Sequence, residues 1–323
     1  MHCFIRAVII LIPGLVASAS DLYASTTCGS ASTSLVVELP SPASTSAHFN
    51  WFKDGADRDR GAALGMLEPL FATDPVTSQR VGWLATEAEW VEDPRIFRLH
   101  LRQNVRWSDG EIFDSEDVAL TIRIAMKHAG LNGLHVERIR DAVQDALVED
   151  SHHLLITLNE GHGDFVDEVL TAGDTDALAV VPAHLWLGVD PNSTEVPIAI
   201  GTGPYRLGST SPEMVSWERR ADWWGKTTGW QDLPEPEALV WRTQTDDEDR
   251  ARQLTRGCSD VAMGLSMGVT QGVMDVAPFV FPPADNSDLL YSFSNWSDFA
   301  EETARPIGGM SRQSSQWILH QLH

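Results

Sequence analysis

Apolar and polar residues follow the clearest pattern between residues 96 and 126, which read IFRLHLRQNVRWSDGEIFDSEDVALTIRIAM. The alternation from Phe97 to Arg102 predicts a half-buried strand with one apolar and one charged face. Ser108-Asp109-Gly110 favours a turn, because Asp can bond its own backbone and Gly readily adopts positive φ. Asp114 followed by Ser115-Glu116-Asp117 then indicates a helix N-terminus, and apolar residues follow at helical spacing. We therefore predict a strand, a turn and a helix that build the core of an α/β lobe.

A second informative stretch begins at Gly201-Thr202-Gly203 and continues through Pro204 and Tyr205. Two glycines and a proline predict a tight bend that leads into a strand. The alternation from Val215 to Arg219 predicts the partner of that strand, and Asp222-Trp223-Trp224-Gly225 follows it. A phosphate-binding loop would need a Lys-Ser/Thr pair and a helix directly after the bend. Neither pattern follows Pro204, so a phosphate loop is rejected.

Together, the two blocks resemble the signature of family 5 extracellular solute-binding proteins, the peptide, oligosaccharide and nickel receptors of ABC importers. In the first block, Asn104 stands where the family carries Gly, and Asp114-Ser115 stands where it carries Thr-Ala. In the second, the departures are Ala221 and Trp223. The first-block changes at Asn104 and Asp114-Ser115 keep the turn and capping chemistry. The residues that carry the resemblance include Trp107, Asp109, Gly110, Asp117, Gly201, Thr202, Gly203, Pro204, Tyr205 and Trp224.

The resemblance implies an α/β fold, namely a periplasmic-binding-protein type II-like lobe with a mixed sheet and flanking helices. It also implies a peptide or an oligosaccharide as ligand, and ABC permease subunits as partners. The likeness covers residues 34–264, the first lobe and the start of the hinge, whereas residues 265–323 show no family element. We therefore expect the second lobe to be largely missing from this chain and residues 265–323 to be divergent and irregular. Weak ligand binding and an exposed apolar surface would follow.

Ligand contacts are expected from aromatic side chains, since a receptor needs stacking surfaces and a few placed polar groups rather than a catalyst. Asn50 and Trp51 lie in a predicted loop after a short apolar strand. Trp83 belongs to a Gly-Trp-Leu-Ala element similar to one in oligosaccharide-binding members of the family. We predict that Asn50, Trp51 and Trp83 line the ligand cleft, with core packing as the alternative, and that Trp107 lies in the core.

Composition limits the classes of partner and cofactor. The chain carries 23 Lys+Arg against 46 Asp+Glu, a net charge of −23. This excess argues against nucleic acid as a partner, because phosphate binding relies on basic patches. No metal or cofactor is predicted, since the adjacent His152 and His153 point to opposite faces of an extended chain. A secreted hydrolase with paired carboxylates is the rival class of function, but no His-Glu-x-x-His helix supports it.

The first residues have the features of a secretory signal: Arg6, an apolar run, and the small-x-small site Ala17-Ser18-Ala19. Residues 1–19 are therefore predicted to be a signal peptide and residues 20–33 a flexible spacer. The apolar run is too short to span a bilayer. The protein is thus expected on the periplasmic or extracellular side of the cell membrane.

Cys28 lies where receptors of this type often carry a lipid anchor. The preceding Ser-Thr-Thr is a poor lipid-attachment signal, which argues against the anchor. A disulfide between Cys28 and Cys258 is the other role open to Cys28 in an oxidising compartment.

Cleavage after Ala19 is the first testable expectation, because the apolar run has signal length and Asp21 lies just beyond the cut. Mass spectrometry of the N-terminal peptide of the exported protein measures the cut directly. A diacylglyceryl group on Cys28 would contradict the prediction and identify a lipoprotein.

Overall fold

A computed structural model describes residues 33–40, 50–52, 66–74, 77–128, 130–131, 135–161, 163–172, 178–193, 200–234, 236–262, 265–266 and 269. The predicted signal peptide, Cys28 and nearly all of the predicted spacer lie outside the described residues. So does the predicted C-terminal segment, residues 265–323, apart from three of its residues.

The described part of the chain opens with five strands, and helices are interspersed among the strands that follow. In chain order they are β1 (Ser34–Leu39), β2 (Phe71–Thr73), β3 (Arg80–Gly82), β4 (Ala85–Trp90), β5 (Ile96–Leu101), α1 (Ser115–Lys127), α2 (Val136–Ala142), β6 (Val143–Asp150), β7 (His153–Leu158), α3 (Phe165–Val169), β8 (Thr171–Ala172), α4 (Ala183–Trp186), β9 (Tyr205–Ser211), β10 (Met214–Arg219), α5 (Trp224–Thr227), β11 (Ala238–Thr243), α6 (Asp247–Thr255) and β12 (Val261–Ala262).

The strands form three sheets. The central sheet has the order β12-β1-β11-β10-β9, in which β1 is parallel to β11 and β12, while β10 is antiparallel to β11 and β9. The outer sheet is antiparallel, with the order β4-β5-β7-β6. A small sheet, β3-β2-β8, completes the set. The central sheet is the mixed sheet that the sequence predicts.

Residue alternation builds the outer sheet as predicted. In β5 the buried positions are Phe97, Leu99 and Leu101, and they face the core. On the other face, the Arg98 guanidinium pairs with the Glu149 carboxylate at 2.6 Å. The apolar face is covered by α1, which contacts α2, α4, β6 and β7.

The predicted capping box starts α1. The Asp114 side chain accepts a hydrogen bond from the Glu116 N–H at 2.9 Å, and the Asp117 carboxylate accepts one from the Asp114 N–H at 2.9 Å. Both bonds satisfy backbone donors that a helix start leaves free. The helix then buries the predicted apolar residues, among them Val118, Ile122 and Ala125.

The sequence pattern does not predict β4, β6 or α2. Strand β4 reads ATEAEW and β6 reads VQDALVED, so acidic residues occupy most exposed positions and leave few apolar ones to mark a period. Pairing with β5 and β7 holds these strands in the sheet. Tertiary contacts therefore override a weak local preference.

A buried arginine joins the central sheet to the outer sheet. Arg220 follows β10 and is 2% exposed. Its guanidinium donates to the backbone carbonyls of Gly201 (3.3 Å), Thr202 (3.3 Å), Gly203 (3.0 Å), Arg106 (3.4 Å) and Trp107 (3.2 Å). The carbonyls of residues 201–203 precede β9, and those of residues 106 and 107 follow β5. We call this contact region the joint between the sheets.

Replacing Arg220 with Met should destabilise the protein by about 3–5 kcal/mol, since buried carbonyls would lose a charged donor that methionine cannot supply. Urea denaturation of both variants measures the loss. Arg206→Met is the matched control: Arg206 pairs with Glu218 at 3.1 Å, but its side chain is 57% exposed. Its removal should cost no more than about 1 kcal/mol. Equal losses of stability in the two variants would contradict the role of Arg220 in joining the two sheets.

Candidate functional site

The first sequence block is held together by the carboxylate of Asp117. The Trp107 indole N–H donates to one of its oxygens at 3.0 Å, and the Ala183 backbone N–H donates to the other at 2.7 Å. Burial raises the pKa of Asp117, and these hydrogen bonds oppose the shift. Trp107 is buried, as predicted. Asp117 therefore ties the turn after β5 to the starts of α1 and α4.

Asp109 and Gly110 form the tip of the predicted turn. Gly110 has φ +99°, the left-handed conformation that glycine adopts without strain. The Asp109 carboxylate lies 2.8 Å from Nε2 of His184, which is in α4. The pair adds a second link between the turn and α4.

The second sequence block fits against Met66 without room for side chains. A Cβ atom at Gly201 would lie 2.1 Å from the Met66 carbonyl oxygen, so no other residue fits there. The Gly203 N–H donates to the same carbonyl at 2.9 Å. Thr202 is buried. The glycines therefore serve close backbone packing, in agreement with the rejection of a phosphate loop.

The bend ends at Pro204 and Tyr205. The Pro204 carbonyl accepts a hydrogen bond from the Arg220 backbone N–H at 2.7 Å, and the Tyr205 hydroxyl donates to the Pro236 carbonyl at 2.7 Å. Burial raises the pKa of the Tyr205 hydroxyl, which stays protonated and can donate. All the residues that carry the family resemblance thus have structural contacts at or near the joint.

A buried glutamate, Glu68, binds the two tryptophans of the second block, and the sequence pattern does not predict this contact. The Glu68 carboxylate accepts from the Trp223 indole N–H at 3.0 Å and from the Trp224 indole N–H at 2.7 Å. Burial raises the pKa of Glu68, and the indole donors oppose the rise. The signal for a buried carboxylate in the sequence is its place between two apolar residues, in Leu67-Glu68-Pro69.

Arg102 packs against two of the tryptophan rings. Its guanidinium carbon lies 5.1 Å from the ring centroid of Trp224 and 4.8 Å from that of Trp230, distances typical of cation–π contacts. Its Nε donates to the Trp83 carbonyl at 2.6 Å, and its Nη2 to the Gly82 carbonyl at 3.0 Å. The turn after β5 is therefore fixed to both β3 and α5.

The three residues predicted to line the cleft are nearly buried. Asn50, Trp51 and Trp83 are 5%, 6% and 7% exposed. The Asn50 amide donates to the Pro191 carbonyl at 2.8 Å, and its oxygen accepts from the Phe52 N–H at 3.1 Å. The two tryptophans belong to the main hydrophobic core. The structure does not bring the three together as one open surface, and their contact with a ligand stays a prediction.

The carboxyl ends of β1 and β11 lie at the opposite end of the central sheet from the bend at Gly201–Tyr205. In open α/β sheets, ligands bind beyond the carboxyl ends of parallel strands. Strands β1 and β11 are parallel and end at Leu39 and Thr243. Helix α6 starts close by, with the Asp246 side chain accepting from the Asp249 N–H at 2.8 Å. The family-motif residues from Gly201 to Tyr205 lie instead at the amino ends of these strands, because β9 begins at Tyr205.

Charged side chains link the strands at this carboxyl edge. The Arg242 guanidinium binds the Glu38 carboxylate and donates to the Cys258 carbonyl at 2.9 Å. Burial raises the pKa of Glu38, and Arg242 opposes the rise. Asp260 accepts from the Val36 N–H at 2.8 Å, and burial raises its pKa as well. Cys258 is disulfide-bonded.

Ser266 lies in a segment that matches the Gly-x-Ser-x-Gly pattern of hydrolase nucleophiles, Gly264-Leu265-Ser266-Met267-Gly268. The Ser266 backbone N–H donates to the Asp247 carboxylate at 2.8 Å, and its hydroxyl also favours the ionised form of that carboxylate. Asp247 is in the first turn of α6 and also binds Arg250. These contacts fix the chain after β12 to α6.

Within the described ranges, no group of three or more His, Cys, Asp and Glu side chains could hold a metal ion. In the same ranges, no helix is long and apolar enough to cross a membrane.

Residues 79–273 match the model of the bacterial extracellular solute-binding proteins, family 5. This match covers more than half of the 323 residues, so the chain belongs to that family. It is 26% identical over 178 residues to the probable peptide-binding protein YejA of Agrobacterium fabrum, covering 53% of this chain and 28% of the relative. A shorter likeness, 36% over 64 residues, links it to the periplasmic alpha-galactoside-binding protein of Rhizobium meliloti, covering 18% of this chain and 9% of the relative.

Solved structures confirm the type of fold. The oligopeptide-binding protein AppA of Bacillus subtilis, in complex with a nonapeptide, superposes with a TM-score of 0.62 at 15% identity. The superposition covers 75% of this chain and 46% of AppA. The predicted α/β lobe with a mixed sheet is therefore confirmed. The chain spans less than half the length of each of the relatives named here.

Comparing Trp51→Ala with Trp107→Ala tests whether Trp51 lies in the core. Both rings are buried, so each truncation should cost about 3–5 kcal/mol of stability. Thermal unfolding of the two variants measures this loss. A Trp51→Ala protein with an unchanged melting temperature would instead place that ring in the ligand cleft, as the sequence predicts.

Proposed function

We propose that this protein is the peptide-binding component of an ABC importer, which captures its ligand outside the cytoplasmic membrane and delivers it to the permease. The observation that carries the proposal is the family match over residues 79–273. The fold is consistent with it, because a lobe of this type holds a ligand at one edge while its buried motif residues keep the lobe rigid.

Peptide is favoured over oligosaccharide as the ligand class. The relative named as a probable peptide-binding protein matches over 53% of this chain, whereas the alpha-galactoside-binding relative matches over 18%. The proposed place for the ligand is the carboxyl edge of β1 and β11. Asn50 and Trp51 follow β1 in the chain, which supports a place for them beside that edge. Trp83 is the least supported of the three, since its ring packs against Trp230 and its carbonyl accepts a hydrogen bond from Arg102.

Export and partners also belong to this proposal. An importer receptor must reach the outer side of the membrane and dock on the permease subunits, and the disulfide at Cys258 suits an oxidising compartment. The chain has two other cysteines, Cys3 and Cys28, and signal cleavage would remove Cys3. We infer that Cys28 pairs with Cys258. A paired Cys28 could not carry a lipid anchor.

A thermal-shift screen of the 323-residue chain separates a receptor from a secreted hydrolase. Peptide and oligosaccharide pools are added at about millimolar concentration, so that weak binding is still seen. A ligand at about 100 times its Kd stabilises a protein by about 2.7 kcal/mol, which raises the melting temperature. We expect such a rise with a peptide class, confirmed by calorimetry, and peptides recovered intact.

Two outcomes would contradict the proposal. Cleavage of the peptides, or of chromogenic ester and glycoside substrates, would indicate a hydrolase, and Ser266→Ala would then test the Gly-x-Ser-x-Gly serine. A rise in melting temperature with oligosaccharides alone would support a receptor function but would show that the ligand is an oligosaccharide rather than a peptide.

A further inference from the structure

The buried carboxylate of Glu68 connects three parts of the chain: the segment before β2, the turn after β5 and the start of α5. Each of its oxygens accepts one indole N–H, Oε1 from Trp223 at 3.0 Å and Oε2 from Trp224 at 2.7 Å. Two donors on two oxygens suit the ionised form, because a protonated carboxyl has one oxygen that carries hydrogen.

Trp224 carries the effect of that charge on to Arg102. A hydrogen bond from the indole N–H to a carboxylate increases electron density in the ring, because hydrogen-bonded groups polarise one another at low dielectric. A more electron-rich ring attracts a cation more strongly. The Arg102 guanidinium, 5.1 Å from the Trp224 ring centroid, is the cation in place to respond. It also holds the carbonyls of Gly82 and Trp83.

The charge of Glu68 reaches Arg102. Burial lowers the pKa of Arg102, and the Glu68 carboxylate opposes that shift. The remaining groups that act on Glu68 are neutral side chains, namely Thr202, Trp83, Trp223 and Trp224.

We propose that Glu68, Trp224 and Arg102 form a proton-linked clasp at the joint, closed when Glu68 is ionised and loosened when the carboxyl takes up a proton from solvent. The proton forms an O–H bond on one carboxyl oxygen, so the indole at that oxygen loses its charged acceptor. The ring then returns electron density, and its attraction for Arg102 weakens. No other bond forms or breaks.

The pH response of the clasp follows from the burial of Glu68. Burial raises the pKa of Glu68 above its ordinary value, so protonation begins at a higher pH than for an exposed glutamate. A folded-state pKa above the unfolded value means that this group favours folding most below its ordinary pKa, and that the benefit is lost as pH rises through the folded pKa. Acidification should therefore loosen the local clasp while the free energy of unfolding rises.

Tryptophan emission reports the clasp directly, since Trp224 stacks on Trp230 with centroids 4.8 Å apart, and Trp230 is 37% exposed. We expect a titration step in the emission of the wild-type protein at a pH above that at which an exposed glutamate titrates. Glu68→Gln should remove the part of the step that Glu68 causes, and Asp117, which accepts the Trp107 N–H and whose pKa burial also raises, accounts for any part that remains. Glu38→Gln is the matched control, because Glu38 is also a buried carboxyl with a raised pKa but pairs with Arg242, and its removal should leave the step unchanged.

Two further variants keep the test decisive if Glu68→Gln does not fold. Trp224→Phe keeps an aromatic ring but removes the N–H, and Arg102→Met removes the cation. Each deletes a group that favours the charged carboxylate, so each should move the midpoint of the step to higher pH. A missing step in the wild-type protein, an unchanged step in Glu68→Gln, or unmoved midpoints in the other two variants would overturn the clasp.

Discussion

Satisfying buried polar groups is the constraint on which this lobe depends. Where the central sheet meets the outer sheet, the chain buries one guanidinium and two carboxylates, those of Arg220, Asp117 and Glu68. A buried charge without partners costs several kcal/mol, so each must be surrounded by donors or acceptors. Arg220 takes backbone carbonyls from both sides of the joint, and each carboxylate takes indole or backbone N–H groups. The two sheets can approach only in the arrangement that supplies these partners.

This constraint explains why the sequence blocks are so specific. Trp107 is large and apolar, but its N–H requires an acceptor, which Asp117 provides from the following helix. Gly201 is needed because the Met66 backbone leaves no space for a Cβ atom. A recognisable motif in a receptor family can therefore mark the joint that makes a lobe rigid rather than the surface that touches ligand. Here the motif glycines lie at the amino ends of the strands, away from the expected ligand edge.

The sequence predicted the elements in which one physical signal dominates. Alternation found β5, and a capping box found α1. The same reasoning failed for β4 and β6, whose exposed faces are acidic and whose stability depends on neighbouring strands. Asn50, Trp51 and Trp83 also have the profile of a binding surface, and their contact with a ligand stays a prediction. Amides and indoles serve equally well in a core when their polar atoms find partners, and only tertiary structure shows which use applies.

Glu68 shows the limit of local patterns most clearly. Its neighbours in the chain say nothing of the indole donors of Trp223 and Trp224, which arrive from more than 150 residues away. Yet this carboxylate acts electrostatically on Arg102, and Arg102 in turn holds the turn after β5 against Gly82 and Trp83. A receptor lobe must stay rigid while its cleft opens and closes, and rigidity built on one buried carboxylate is open to control by protons. Through Glu68, solution conditions can thus change how Arg102 holds the turn after β5 against β3 and α5.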